Sequence, residues 1–181
     1  MSAEVSLSRL TRYESLFELS SEINTANEIA RVGDLMARRL KYVADVFSWR
    51  YLSIERESIG ASSSEGNVMM IDGYQGTAMV TNVRPDHLSS IESKLWANRK
   101  TCFLAGETLA EAKDSLPKQF QKNDIVQVFV CPHFRAGELQ ALSIFSRRRQ
   151  AFNELDIKFI TLAAQFFHEK VYMLWEQRKL R

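Results

Sequence analysis

A chain of 181 residues with 45% hydrophobic and 25% charged residues can bury roughly two-thirds of its unfolded surface around one core, which excludes a disordered or low-complexity protein. Its formal net charge of +2 is too small to indicate a polyanion partner, and two isolated cysteines make neither a disulfide framework nor a zinc site, so a reduced cytoplasm is the expected setting. The N-terminus has no basic stretch leading into an apolar core, and no apolar run approaches the ~20 residues of a membrane-spanning helix, so neither secretion nor a membrane partner is expected.

In chain order, Leu10, Tyr13, Phe17 and Ile23, with Leu16 beside them, recur at helical spacing and predict an amphipathic helix over 8–24. A second helix follows the polar break at Thr25, with Ile29, Val32, Met36, Leu40 and Val43 inward and Arg31, Arg38, Arg39 and Lys41 on a solvated face. Aromatic and β-branched residues from Phe47 to Ile54 favour a strand. Gly60 to Gly66, with three consecutive serines, reads as a hairpin-like loop, and Asn67 to Asp72 as the next strand. Residues 73–83 are ambiguous, with Ala78 to Val80 either a short strand or a pocket wall. Leu88, Ile91, Leu95 and Trp96 predict a short helix ending near Asn98, Thr101 to Leu104 a brief strand, and Glu107 to Lys122 a polar segment with a helix broken at Pro117.

Two strands then flank a tight turn. Val126, Val128 and Val130 alternate with Gln127, Phe129 and Cys131, while Leu142 and Ile144 alternate with Ala141, Ser143 and Phe145. Ala136-Gly137 supplies the permissive turn backbone. After Phe152 the period becomes helical, with Asn153 as N-cap and Asp156 in the first turn.

A strand ending in Cys131-Pro132, a glycine turn, a small-to-apolar strand and a terminal helix opened by Phe152 and Asp156 resemble the C-terminal half of a GAF domain. The element order extends the resemblance over almost the whole chain. The two helices before the first strand and the long last helix favour GAF over the similar PAS class. The resemblance implies an α+β fold: an antiparallel sheet of five to six strands, the N- and C-terminal helices on one face and a variable segment on the other. It also implies a bacterial sensory or regulatory module, here one domain over 1–181. The helix from 154 still runs in good helix-forming residues from Glu176 to Arg181, with no Gly or Pro to end it, so it is expected to lead to an output domain missing after Arg181.

The expected pocket follows from strand alternation. If Leu52, Ile54, Val128, Val130, Leu142 and Ile144 cover the terminal helices, then Trp49, Tyr51, Ser53, Phe129, Cys131, Ser143 and Phe145 face the variable segment, and Met70, Tyr74, Trp96 and Phe103 close over them. The alternative is a second, ligand-free core layer. On the last helix, Ile157, Ile160, Ala164, Phe167, Val171 and Leu174 form a heptad seam, and Phe159, Leu162, Phe166 and Met173 add apolar surface beside it. So much apolar surface predicts a homodimer through the first and last helices; the alternative is burial within the chain alone.

The ligand of that pocket is unknown from the sequence. Cys102-Phe103 and Cys131-Pro132 lack the Cys-His form of bilin-binding GAF domains, and His87, His133 and His168 each read as surface or cap residues without metal-ligand spacing, so neither bilin, haem nor metal is expected. Asn98-Arg99-Lys100 with Phe103 and Glu107 echoes the cyclic-nucleotide motif of some GAF domains, but the Phe is displaced and the acidic pair is missing. GAF-type methionine sulfoxide reductases group their cysteines closely, whereas Cys102 and Cys131 are separated and read as buried hydrophobes. Arg147-Arg148-Arg149 reads as a solvated connection without nucleic-acid contact. No catalytic constellation is present, so the expectation is a signalling sensor rather than an enzyme. A ligand-free dimerisation module is the alternative and a thiol-dependent reductase ranks third.

Overall fold

The computed structural model describes residues 3–54 and 68–179, with side-chain surroundings from Arg9 to Arg178. The expected loop from Gly60 to Gly66 and the end of the chain after Lys179 lie outside the described residues. Helices α1 (Ala3–Thr25) and α2 (Ile29–Ala44) precede β1 (Ser48–Ile54), β2 (Val68–Tyr74) and β3 (Thr77–Val83). Helix α3 (Ser90–Asn98), β4 (Cys102–Ala105) and α4 (Gly106–Ala112) form the variable segment with short 3-10 turns, including one at Lys118–Phe120. The hairpin β5 (Ile125–Arg135) and β6 (Glu138–Arg148) leads into α5 (Glu154–Lys179).

The six strands form one antiparallel sheet in the order β3-β2-β1-β6-β5-β4. Residues 77–83, ambiguous from sequence, are the edge strand β3, joined to β2 by a turn whose central residues Gln75 (φ 54°) and Gly76 (φ 83°) are both left-handed. The β5–β6 turn repeats that geometry at Ala136 (φ 53°) and Gly137 (φ 77°), the two-residue form whose twist matches a hairpin.

Helices α1, α2 and α5 cover one face of the sheet, and α3, α4 and the 3-10 turns cover the other, which makes three layers. The alternation in the strands was legible, but its assignment to layers is reversed from the sequence expectation. Trp49, Tyr51, Phe129, Cys131 and Phe145 pack under the terminal helices, whereas Leu52, Val128, Val130, Leu142 and Ile144 pack under the variable segment with Leu95, Leu109, Leu116 and Phe120. The physical reason is space. Helix α2 presents Gly33 and Ala37 to the sheet, and Gly73 leaves room for an indole: a Cβ there would lie 2.6 Å from Trp49 Cε3. Small residues on the helix and on β2 thus admit large rings on the helix side, which alternation alone does not reveal.

Helix α1 is apolar on two sides. Leu16, Leu19 and Ile23 are buried, but Leu10, Tyr13 and Phe17, expected inward, are 54%, 60% and 75% exposed. Helix α5 starts as expected: Asp156 N–H donates to Asn153 Oδ1 (2.8 Å) and Asn153 N–H to Asp156 Oδ2 (3.0 Å), a reciprocal cap. Asp156 is fully buried and also receives Arg147 and Arg12, so the expected solvated connection is in part a buried ion pair. Arg148 pairs with Asp124, and Arg149 is exposed.

Candidate functional site

Two polar constellations interrupt these apolar layers, one on each side of β1. On the variable side Arg50 projects from β1 between Asp72 of β2 and Glu92 of α3. Its Nε and Nη2 donate to the two Asp72 oxygens at 2.6 and 3.0 Å, and its Nη1 to Glu92 Oε2 at 3.2 Å. Gln119, in the 3-10 turn before β5, donates from Nε2 to Asp72 Oδ1 at 2.9 Å. The bidentate geometry suits a planar guanidinium. Burial opposes the charge on Arg50, but its bonds to Asp72 and the nearby Glu92 more than offset this and raise its pKa. Glu92 also caps α3, since its Oε1 accepts from Ser89 N–H (3.1 Å) while its own N–H donates to Ser89 Oγ (3.2 Å). One carboxylate therefore both starts α3 and ties it to the sheet. Two carboxylates face one guanidinium, so this cluster carries net negative charge.

On the helix side Tyr51, the next residue of β1, meets two histidines. Its hydroxyl lies 2.7 Å from His168 Nδ1 on α5, and His168 Nε2 lies 3.3 Å from Gln140 Oε1. An amide oxygen only accepts, so the proton sits on Nε2 and Nδ1 accepts from the tyrosine. His133 stacks on His168 with ring centroids 4.8 Å apart and an interplanar angle of 11°, and its Nε2 lies 2.7 Å from Ser143 Oγ. Burial, with His168 as neighbour, lowers the His133 pKa to about 3. Burial, with Arg135 nearby, lowers that of His168 to about 4. Both rings are neutral at pH 7, and burial raises the pKa of Tyr51. The expectation of ordinary surface or cap histidines is corrected for His133 and His168; His87 is exposed in the turn Pro85–His87. A buried ring needs polar neighbours from other strands and helices, which the sequence around a single histidine does not display.

The eleven expected pocket residues do not line one space. Trp49, Tyr51, Phe129, Cys131, Ser143 and Phe145 are buried on the helix side, where Ser53 also lies by strand alternation, with its Oγ donating to Gln140 O (3.3 Å). Met70 and Trp96 belong to the variable-side core. Tyr74 is 37% exposed and meets Phe47 edge to face, and Phe103 stacks on Phe129 at 5.0 Å with 43% of its surface exposed. Sequence reading missed Arg50, Asp72, Glu92 and Gln119. The signal for them was a charged residue inside an aromatic strand and an acidic residue at the third position after Ser89.

The thiols do not form a working pair. Cys102 sits opposite Val130 on β4, and Cys131 is the next residue of β5, so the two side chains lie on opposite faces of the sheet. Burial raises both pKa values, that of Cys131 to about 11. Attack by one thiolate and resolution by the other within a chain has no geometry here. Arg99 of the cyclic-nucleotide-like stretch caps α3 in a left-handed conformation and donates to Gly137 O (3.0 Å), away from the Arg50 cluster.

The expected dimer seam is occupied within the chain. Ile160, Ala164, Phe167, Val171 and Leu174 are all buried in the helix-side core and Ile157 is half-buried against it, with Phe159 beside them. The large apolar residues that α5 leaves exposed are Leu162, Phe166 and Met173, at 39%, 39% and 43%. They share the outer surface with Leu10, Tyr13 and Phe17 of α1, which runs parallel to α5: Arg12 meets Asp156 and Asn24 meets Lys170.

Solved structures resemble this arrangement throughout. The GAF domain of an Acinetobacter phosphoenolpyruvate-protein phosphotransferase superposes with a TM-score of 0.61 at 13% identity, over 95% of each chain. The chain has the GAF fold. The GAF domain of the corresponding Coxiella burnetii protein matches with a TM-score of 0.57 at 14% identity, over 91% of this chain and 97% of that one. A free methionine-R-sulfoxide reductase from Neisseria meningitidis, solved with its substrate, matches with a TM-score of 0.59 at 15% identity, over 98% of this chain and 95% of that one. The expectation that the chain is not an enzyme is therefore corrected, because the same GAF fold, at comparable similarity, carries a free methionine-R-sulfoxide reductase as well as the GAF domains of phosphotransferases. No protein-family model matches the sequence, and no curated protein matches it. Among the described residues no helix is long and apolar enough to cross a membrane, and no group of three His, Cys, Asp or Glu is placed to hold a metal ion.

Proposed function

We propose that this GAF domain is a cytoplasmic sensor that binds a small molecule on the variable side and passes the change through β1 and α5 to a second copy of the chain. The observation that carries this reading is the adjacency of Arg50 and Tyr51. Arg50 holds the variable segment through Glu92, and Tyr51 holds α5 through His168, from neighbouring positions of one strand. A ligand that exchanges for an Arg50 partner shifts α3, and the same strand carries the shift to the helix layer. Such coupling requires a difference in affinity between two conformers.

The partner surface in this reading is the outward stripe of Leu10, Tyr13, Phe17, Leu162, Phe166 and Met173. Six large apolar side chains on two neighbouring helices favour burial by a second protein surface. Thermal-shift screening of metabolite pools tests the sensor reading: a ligand that stabilises the wild type and fails to stabilise Arg50→Ala supports it, and absence of any stabilising ligand counts against it. Sedimentation tests the dimer, with Leu162→Lys/Phe166→Lys expected to be monomeric.

The packing of Leu95, Leu109, Leu116 and Phe120 over Leu52, Leu142 and Ile144 favours a second reading, a ligand-free dimerisation module whose variable side is core. Dimerisation without any stabilising ligand is the outcome that selects it.

A further inference from the structure

A groove of about 340 Å³ lies apart from both polar constellations, where the end of α2, the β2–β3 turn and the connection from β6 to α5 meet. Lys41, Arg148 and Arg149 line it together with Gln75, Phe47 and Asp45. Three cations from two distant stretches of sequence converge on one concavity. We infer that this groove binds a small phosphorylated ligand, whose oxygens are held by Lys41 and Arg149.

The charge count selects the ligand. Arg148 is already engaged, paired with Asp124 and lying over the Phe47 ring at 4.7 Å. Its guanidinium builds the wall, with Phe47 beneath it. Lys41 lies over the Tyr42 ring at 5.1 Å, and neither Lys41 nor Arg149 has an ion-pair partner among the described residues. Asp45 stands at the rim with 77% of its side chain exposed and reaches toward Arg147, 4.0 Å away, and Asp124 feels Arg149 as well as Arg148. Counting all five groups, the region holds one net positive charge; counting only those that line the groove, it holds two.

The carbonyl end of α2 opposes an anion, although one of its carbonyls, Leu40 O, already accepts from Asp45 N–H and from Val46 N–H (3.0 Å). The attraction must therefore come from the side chains. A carboxylate brings one charge against the repulsion of Asp45, whereas a phosphate or pyrophosphate brings more charge and more oxygens to the two cations. The volume exceeds that of an ion and lies at the small end of ligand pockets.

The backbone is shaped for this convergence. Arg149 is held left-handed (φ 73°) with its N–H on Asp124 O (3.0 Å), and Gln75 is left-handed on the opposite wall (φ 54°). Gly76 lies against the Lys41 stem, since a Cβ there would sit 3.7 Å from Lys41 Cδ. A side chain at Gly76 would fit beside Lys41, but the left-handed backbone there (φ 83°) would strain the turn and with it the wall.

The experiment is an amide-resonance titration of the whole chain with inorganic pyrophosphate, with a parallel arm using phosphatidylcholine vesicles that carry a phosphatidylinositol phosphate. Saturable shifts at Gln75, Gly76 and Arg149 are expected, weakened about tenfold or more in Lys41→Gln/Arg149→Gln and unchanged in Arg31→Gln/Arg38→Gln, which removes two exposed cations of α2 outside the groove. Saturation in the soluble arm identifies a free phosphorylated ligand, and saturation in the vesicle arm alone identifies a headgroup. No saturable shift in either arm, or equal weakening by both double variants, overturns the inference. All four substituted residues line neither the Arg50 cluster nor the α1–α5 stripe, so this result is independent of the sensor reading.

Discussion

The two faces of the sheet bury polar groups by opposite means. On the helix side, rings do the filling; the polar groups among them, Tyr51, His133, His168 and Ser143, are neutral and hydrogen-bonded in pairs, and charge is confined to the start of α5, where buried Asp156 holds Arg147 and Arg12. On the variable side the filling is aliphatic, and the polar groups are charged: Arg50 between Asp72 and Glu92. Pairing explains the difference. Asp156 and Glu92 are as buried as Tyr51 and Ser143 and are charged because each has an arginine partner, while Asp72 keeps 25% of its side chain in solvent. A neutral network suits a fixed attachment, and a part-solvated ionic one can exchange partners. In the proposed sensor reading, the helix side serves as the frame and the variable side as the part that changes.

That contrast can be broken at several points. The largest expected effect is on the helix side: Phe167→Ala removes a ring packed edge to face against both Trp49 (4.8 Å) and Tyr51 (5.1 Å) and should cost about 3–5 kcal/mol in urea unfolding. A loss below about 1 kcal/mol would mean that the ring layer is loosely packed. Next, Arg50→Ala leaves Asp72 and the buried Glu92 without their cation. Discounted for the solvent at Asp72, it should cost about 2–3 kcal/mol and increase hydrogen exchange in α3 while leaving α5 protected. Equal deprotection of α3 and α5 would remove the distinction between frame and mobile part.

Acid should act on the helix side first. His133 and His168 have folded pKa values of about 3 and about 4, below the ordinary value near 6.5, so the folded state binds fewer protons than the unfolded one. Their contribution is complete above about pH 6.5 and declines as pH falls toward 4 and 3, by up to about 1.4 kcal/mol per pH unit for each ring. Urea midpoints measured from pH 7 to 4.5 should therefore fall more steeply in the wild type than in His133→Gln/His168→Gln. Parallel curves would place the acid sensitivity elsewhere. The smallest effect is expected one residue from the largest: Phe166→Ala, on the outward side of α5, should change the stability of the monomer by no more than about 0.5 kcal/mol.

Much of this architecture was legible in the chain. Two amphipathic helices, period-2 strands, the Ala136-Gly137 turn and the Asn153/Asp156 cap identified the GAF fold, because each is a local rule with a local signature. The candidate site was less legible. Arg50, Asp72, Glu92 and Gln119 come from four separate elements, and no spacing in the sequence joins them. The same holds for Lys41 and Arg149, which line one groove from distant parts of the chain.

By itself the sequence determined which residues travel together: Trp49 with Tyr51, Phe129 with Cys131, and Ile160 with Phe167 and Leu174. Strand and helix periods require that much of any chain. Only the tertiary structure decided what each set faces. Helix α2 brings Gly33 and Ala37 to the sheet, Gly73 opens space for Trp49, and the rings go under the helices rather than toward the variable segment. By the same packing the seam of α5 closes on its own sheet and leaves Leu162, Phe166 and Met173 outside. A period defines a face, but the volume available on either side of it depends on residues far away in the chain, and volume decides which layer fits.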